Sequence, residues 1–249
     1  MNLDISLLQK KFGKSLIINE SLAKYSWFNL GGLADIFFKP ESKDQLKKFL
    51  REIIEKNEQV YILGAGSNTL IRDSGVKGVV IKLGSKFSDI KLIEKDIIEV
   101  GAAALDRQVS DFAKNNCISK MEFLSCIPGS IGGAITMNSG CYGSDISEIL
   151  LSIKVIDEQG QEKEIKSHEI EFYYRGTNIP KNYIILSARL KGVISSRELI
   201  ENEQKKLIQR KKESQPSQIK TCGSTFKNNN NQKAWMLIKE SGCEKFYIG

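Results

Sequence analysis

The sequence predicts an α+β protein assembled from α/β units. Three observations carry that prediction. Short apolar runs alternate with segments of helical periodicity through the first half of the chain. Two glycine-rich stretches follow such runs instead of sitting in polar linkers. A hairpin signal and a further strand then precede a long charged helix.

The elements follow in order. Residues 1–20 form an amphipathic lead-in. Residues 34–40 read as a strand ended by Pro40, and Ser42 is placed to cap a helix whose apolar face is Leu46, Phe49, Leu50, Ile53 and Ile54. Residues 60–63 form a short strand that runs into Gly64-Ala65-Gly66-Ser67-Asn68, and residues 69–75 read as a strand and turn. Strands are expected at 79–83 and 97–100, and a helix at 105–115 with Leu105, Val109, Phe112 and Ala113 on one face. Residues 128–143 are small and glycine-rich, yet carry too much Ile and Met for a linker. Residues 153–157 and 162–165 flank Glu158-Gln159-Gly160 as a hairpin, and 183–190 read as a strand. A charged helix over 196–212 ends at Gln215-Pro216-Ser217-Gln218, which marks a domain junction. A last helix covers 232–240, and no repeat of fixed period is present.

Composition narrows the chemistry. At 249 residues and 41% hydrophobic content the chain can bury a sizeable core. No apolar run approaches the roughly 20 residues of a membrane-spanning helix. No basic segment followed by an apolar block opens the chain, so a secretory leader is not expected and a reducing cytoplasm is. The cysteines (Cys117, Cys126, Cys141, Cys222 and Cys243) form no C-x-x-C pair, so neither a disulfide framework nor a zinc knuckle is expected. The single histidine, His168, excludes a site built on several imidazoles, and no metal is expected. The net charge of +7 suits anionic ligands. The densest basic cluster, Lys205, Lys206, Arg210, Lys211 and Lys212, reads better as a solvated helix face than as a nucleic-acid site.

Four stretches carry chemistry. In Gly64-Ala65-Gly66-Ser67-Asn68, backbone N–H groups can converge on phosphate oxygens, with Ser67 and Asn68 adding donors. The stretch lacks the third glycine of a dinucleotide fingerprint and reads equally as a tight turn between strands. In Pro128-Gly129-Ser130-Ile131-Gly132-Gly133, proline suits a first helical turn and the glycines admit a ligand close to the backbone. The competing reading is a tightly packed helix–strand corner. Two such stretches in one chain favour one large diphosphate ligand. Tyr173-Tyr174-Arg175-Gly176-Thr177 could clamp a carboxylate or phosphate. Gly223-Ser224-Thr225-Phe226-Lys227-Asn228 offers a hydroxyl after glycine. Taken alone, these last two read as structural.

Taken together, the stretches resemble the UDP-N-acetylenolpyruvoylglucosamine reductases, the MurB family. Ser26-Trp27-Phe28-Asn29-Leu30-Gly31-Gly32 resembles the family's opening motif. Residues 63–68 match its first FAD diphosphate loop, and residues 128–133 with Met137, Asn138 and Gly140 match its second. Tyr174-Arg175 matches its substrate motif, with Thr177 where serine is usual. Residues 223–228 match its proton-donor motif, with Asn229 where proline is common. Residues 237–249 resemble the next helix and turn, with Phe246 in place of a usual glycine.

That resemblance implies a vanillyl-alcohol-oxidase (PCMH) type of FAD-binding domain over 21–192, with units at about 21–84 and 85–192. A substrate-binding domain would follow over 196–249. It implies noncovalent FAD, NADPH as co-substrate, and a UDP-sugar enolpyruvate reduced to UDP-N-acetylmuramate for peptidoglycan. FAD would be held by Gly64, Ala65, Gly66, Ser67, Asn68, Pro128, Gly129, Ser130, Gly132, Gly133, Asn138 and Gly140. Arg175 would stabilise charge on the substrate carboxylate and Ser224 would donate the proton. Tyr174, Lys227, Asn228 and Lys245 would hold the nucleotide substrate. The short span between Arg175 and Tyr183 matches the compact subtype. Members of the family carry a glutamate beyond the point matching Gly249, so an incomplete substrate domain is expected. A non-catalytic flavin-binding remnant is therefore the alternative, and a basic nucleic-acid-binding protein a remote one. A monomer in the cytoplasm, without nucleic acid or membrane partner, is expected.

Overall fold

The computed structural model describes all residues except 1–2, 55, 57, 216–224, 230–231 and 248–249. The lead-in holds more structure than its sequence suggests. Asp4 caps helix α1 (Ile5–Phe12) by accepting from the Leu7 N–H at 3.0 Å, and Leu8 and Phe12 are buried. Strand β1 (Leu16–Ser21) follows. Its alternation is broken by Asn19, at φ 53, which hides the strand from a search for period two.

Strands β2 (Leu33–Phe38), β3 (Val60–Ile62) and β4 (Val76–Ile81) complete a sheet of order β1-β2-β4-β3. β1 is antiparallel to β2, while β2 and β3 both run parallel to β4. Helix α2 (Lys43–Ile54) makes the crossover from β2 toward β3, and Ser42 Oγ caps it by accepting from the Gln45 N–H at 3.1 Å. Ala34 and Ile36, two apart in sequence, lie in different apolar clusters, and between them the β2–β4 pairing shifts by one residue in β4. The expected strand within 69–75 is absent. Only a turn forms there, because the Arg72 carbonyl accepts from the Gly32 and Gly75 N–H groups and does not enter a ladder.

Strands β5 (Ile90–Glu94), β6 (Ile97–Gly101), β10 (Leu150–Ile156), β11 (Glu162–Lys166) and β14 (Ile184–Lys191) form a second, antiparallel sheet of order β11-β10-β14-β6-β5. Between them lie helix α3 (Asp106–Asn115), strand β7 (Ile118–Ser119), helix α4 (Ile131–Thr136) and the short hairpins β8 (Gly140–Cys141)/β9 (Ser144–Asp145) and β12 (Phe172–Tyr173)/β13 (Gly176–Thr177). β15 (Val193–Ile194) pairs with β7.

The two sheets share a core. Leu46, Phe49, Leu50 and Ile53 of α2 cluster with Ile36 and Phe38 of the first sheet and with Ile156, Ile184 and Leu186 of the second. Phe38 and Phe49 stack with ring centroids 3.7 Å apart, and each fully buried side chain of this size contributes about 1.5–3 kcal/mol. Leu8, Phe12 and Leu16 join the same core, so it draws on residues ahead of residue 21. At its rim Lys43 and Lys47 both pair with Glu162 of β11.

Helix α5 (Arg197–Ser214) is capped by Ser196 and packs against α3 and β7. Its buried Gln204 donates to Ser110 Oγ of α3 at 2.7 Å. Its basic cluster is largely engaged within the protein. Lys205 pairs with Glu201 and Lys206 with Glu203, Arg210 lies over the Tyr142 ring, and Lys211 donates to the Cys126 carbonyl. Helix α6 (Ala234–Glu240) buries none of its residues. The junction expected at 215–218 falls mostly on residues outside those described.

Candidate active site

The first glycine stretch leaves the carboxyl end of β3. Leu63 is still held by its N–H to the Ile81 carbonyl at 2.9 Å. Gly66 then turns at φ 73, where a Cβ would stand 1.8 Å from the Tyr25 carbonyl oxygen, so only glycine fits. The Gly66 carbonyl accepts from the Trp27 N–H at 3.1 Å, which pins the 26–32 segment to the loop. The loop's other end is fixed by Lys82, whose Nζ donates to the Gly64 carbonyl. Nothing in the sequence pointed to Lys82.

The second stretch lies on residues 102–106 like an added strand. Asp106 N–H donates to the Gly129 carbonyl at 3.2 Å, Ile131 N–H to Ala104 at 3.0 Å and Gly132 N–H to Ala102 at 2.9 Å, around an antiparallel bridge between Leu105 and Ser130. Ser130 is the N-cap of α4. Two first-turn amides that the sequence reading offered to an anion are therefore bonded within the protein. Gly132 fits because a Cβ there would lie 3.1 Å from the Ala102 Cβ, whereas Gly133 meets only Ser130 Oγ, at 3.6 Å.

The loops meet. A Cβ on Gly64 would stand 2.8 Å from Ser130 Oγ, so the two glycine stretches share one edge. Beneath the second, the fully buried Asp106 carboxyl lies 2.5 Å from where a Gly129 Cβ would be. Burial pushes this carboxyl up to about 8; the Gly129 N–H favours the charged form but approaches without forming a well-aligned hydrogen bond. Asn138 and Gly140 have local tasks. Asn138 Oδ1 accepts from the Ser147 N–H at 3.2 Å, and a Cβ on Gly140 would meet the Ser144 carbonyl at 2.4 Å. Both residues shape the β8–β9 hairpin that closes the second loop.

The remaining motifs attach to this pair. Thr177 Oγ1 donates to the carbonyl of Thr136, the last residue of α4, at 3.4 Å. Arg175, at φ 62, lies in the turn between β12 and β13 with its guanidinium 5.5 Å from the Tyr174 ring centroid. Its Nη1 donates to the Thr225 carbonyl at 3.3 Å, and the Asn228 N–H donates to the Tyr174 hydroxyl at 3.4 Å. The stretches around Arg175 and around Thr225, some fifty residues apart, are thus side by side. Ser224 itself lies outside the described residues. Asn228 Oδ1 accepts from the Ala234 N–H at the start of α6, while Lys227 and Lys245 are exposed.

Other features lie elsewhere. A hollow lined by Ile93, Glu94, Ile97, Ser152 and Arg189 sits on the second sheet and touches neither loop. His168 is in the turn after β11. Among the described residues there is no group of His, Cys, Asp and Glu able to hold a metal ion, and no helix long and apolar enough to cross a membrane.

The family model described as an FAD binding domain matches residues 34–166, which contain both loops. The UDP-N-acetylenolpyruvoylglucosamine reductase of Pelagibacter ubique (strain HTCC1062) is 43% identical over 241 residues, or 96% of this chain and 80% of that protein. This chain belongs to the UDP-N-acetylenolpyruvoylglucosamine reductase family. The reductase of Rickettsia conorii (strain ATCC VR-613 / Malish 7) is 41% identical over 231 residues, covering 92% of this chain and 77% of that one. Among solved structures, the MurB reductase of Thermus caldophilus superposes with a TM-score of 0.81 at 29% identity, over 94% of this chain and 82% of its own. A Phl p 4 variant described as a glucose oxidase gives a TM-score of 0.60 at 12% identity, over 78% and 45%, and shares the fold alone. The α+β architecture expected for a reductase of this family is the one observed, and its FAD-binding domain contains the loop pair. The pair fits such a cofactor: a Cβ at Gly64 would fill the edge the loops share, and Gly133 leaves its side open.

Proposed function

We propose that this chain reduces UDP-N-acetylglucosamine enolpyruvate to UDP-N-acetylmuramate, with FAD as bound cofactor and NADPH as electron donor. Its family membership supports the reaction. The observation that carries the site assignment is the pair of contacts from Arg175 to Thr225 and from Tyr174 to Asn228, which join the substrate and proton-donor motifs beside the loops.

FAD, when bound, supplies the hydride chemistry that no side chain offers. The residues of the chain do the rest. Gly64 to Asn68 and Pro128 to Gly133 hold the cofactor's diphosphate without a covalent link, with Asn138 and Gly140 shaping the second loop. Arg175 takes the substrate carboxylate and stabilises the negative charge that develops toward it, an effect of about 3 kcal/mol for a well-aimed donor. Ser224 donates the proton to the neighbouring carbon; a hydroxyl can do so only to a strongly basic centre in contact with it. Tyr174, Lys227, Asn228 and Lys245 hold the polar and phosphate groups of the UDP-sugar. Residues 21–192, in units of about 21–84 and 85–192, form the flavin domain, and residues 196–249 belong to the substrate side. A cytoplasmic monomer suits this role.

The test is an anaerobic titration. NADPH should bleach the flavin band of the purified protein, and the UDP-enolpyruvate substrate should restore it. Bleaching that the substrate does not reverse would contradict the proposal.

A further inference from the structure

The parallel strands β2, β3 and β4 end together, and open parallel sheets bind ligands at the carboxyl ends of their strands. Two lysines stand at those ends. Lys39 follows β2 and Lys82 follows β4, in register: Phe38 pairs with Ile81, and the Lys82 N–H donates to the Phe38 carbonyl at 3.0 Å. Lys82 Nζ then reaches the carbonyl of Gly64, the first residue of the first glycine loop, and lies 5.8 Å from the Tyr25 ring centroid.

This is a costly place for a cation. Burial, and secondarily the charge of Lys39, pull the Lys82 amine below the usual lysine range. Among the described residues neither lysine has a carboxylate within 4.0 Å, although many surface lysines of the chain do. A half-buried ammonium crowded by a second one is stabilised when an anion arrives. The position also selects the anion. Gly64 is where the first loop touches Ser130 of the second, so Lys82 stands at the junction of both.

We propose that Lys82, backed by Lys39, receives the diphosphate of the bound flavin dinucleotide. The proposal rests on the flavin site described above and adds a residue to it. Lysine suits the task as a point charge that can serve either phosphate. The Gly64 carbonyl holds the amine in place beforehand, so little ordering is required on binding.

The experiment is a titration of flavin-free protein with FAD and with riboflavin, which lacks both phosphates, followed by quenching of flavin fluorescence. Lys82→Met should raise the FAD dissociation constant about ten- to a hundredfold, the range for a lost charge-assisted bond. Its riboflavin affinity should not change, and Lys82→Arg should restore most of the FAD affinity. Added salt should weaken FAD binding less in Lys82→Met than in the unaltered protein. A second readout needs no variant: FAD, and not riboflavin, should shield Lys82 from acetylation, as read by peptide mass. Wild-type FAD affinity in Lys82→Met, equal loss of FAD and riboflavin, or labelling of Lys82 unaffected by FAD would each overturn the proposal. Failure of the unaltered, folded protein to bind FAD would instead overturn the flavin site, and this proposal with it.

Discussion

Gly64 and Ser130 face each other so closely that a methyl group on Gly64 would stand 2.8 Å from the serine Oγ. Gly64 follows β3 and Ser130 caps α4, so this contact joins the two glycine stretches proposed to hold the cofactor. Gly64→Ala should force the loops apart and weaken FAD binding about tenfold, since overpacking by one methyl costs about 1–3 kcal/mol. The double variant Gly64→Ala/Ser130→Gly should recover most of that loss, as expected of residues in contact. Equal affinity for Gly64→Ala and the unaltered protein would show that the loops can separate freely.

Gly66 makes a separate prediction. Its left-handed backbone and its contact with the Tyr25 carbonyl both exclude a side chain. Gly66→Ala should lower stability by more than the roughly 1–2 kcal/mol of the left-handed conformation alone. Denaturant unfolding measures it directly.

Arg175 is predicted to act on substrate and not on cofactor. Arg175→Ala should lower turnover about a hundredfold or more while FAD content is retained. Arg175→Lys should rescue little, because a lysine lacks the planar fork. Loss of flavin on purification of Arg175→Ala would assign the residue a structural role.

Asp106 gives a pH dependence. Its folded-state value, about 8, lies above that of an ordinary carboxyl, so the folded state binds the proton more tightly than the unfolded state. The stability this contributes is complete at acid pH. It declines as pH rises from the ordinary carboxyl range through about 8. Asp106→Asn, which keeps the shape and stays neutral, should flatten that decline. Each kcal/mol recovered at pH 8 should raise the melting temperature by about 2–4 °C. A variant that loses stability with pH as steeply as the unaltered protein would contradict this.

Much of the fold could be read from the residues. The β2–α2–β3 unit was visible because the apolar stripe of α2 is regular and Ser42 caps it, and the β10–β11 hairpin because a glycine turn follows an apolar run and precedes a charged, extended one. β1 was missed because Asn19 breaks its alternation, and β5 because most of its residues face solvent. The strand expected within 69–75 failed because its backbone bonds to Gly32 and to its own turn.

The site divides in the same way. The glycines at 64, 66 and 132 announced themselves because a close approach or a positive φ leaves few alternatives. Tyr174 and Arg175 carried no such mark: an Arg beside aromatics can clamp an anion but reads as structural when taken alone, and only family resemblance favoured the functional reading. Lys82 and Asp106 were invisible, since each matters through what lies beside it in space: Gly64 for one, Gly129 for the other. Asn138 and Gly140 proved to be tied up in the hairpin behind the second loop.

The most direct measurement is the addition of FAD to the purified, folded chain stripped of flavin. A single cradle made by the two loops predicts saturable quenching of FAD fluorescence at one equivalent and a yellow protein after gel filtration. A folded chain that stays colourless and leaves the fluorescence unchanged would contradict it.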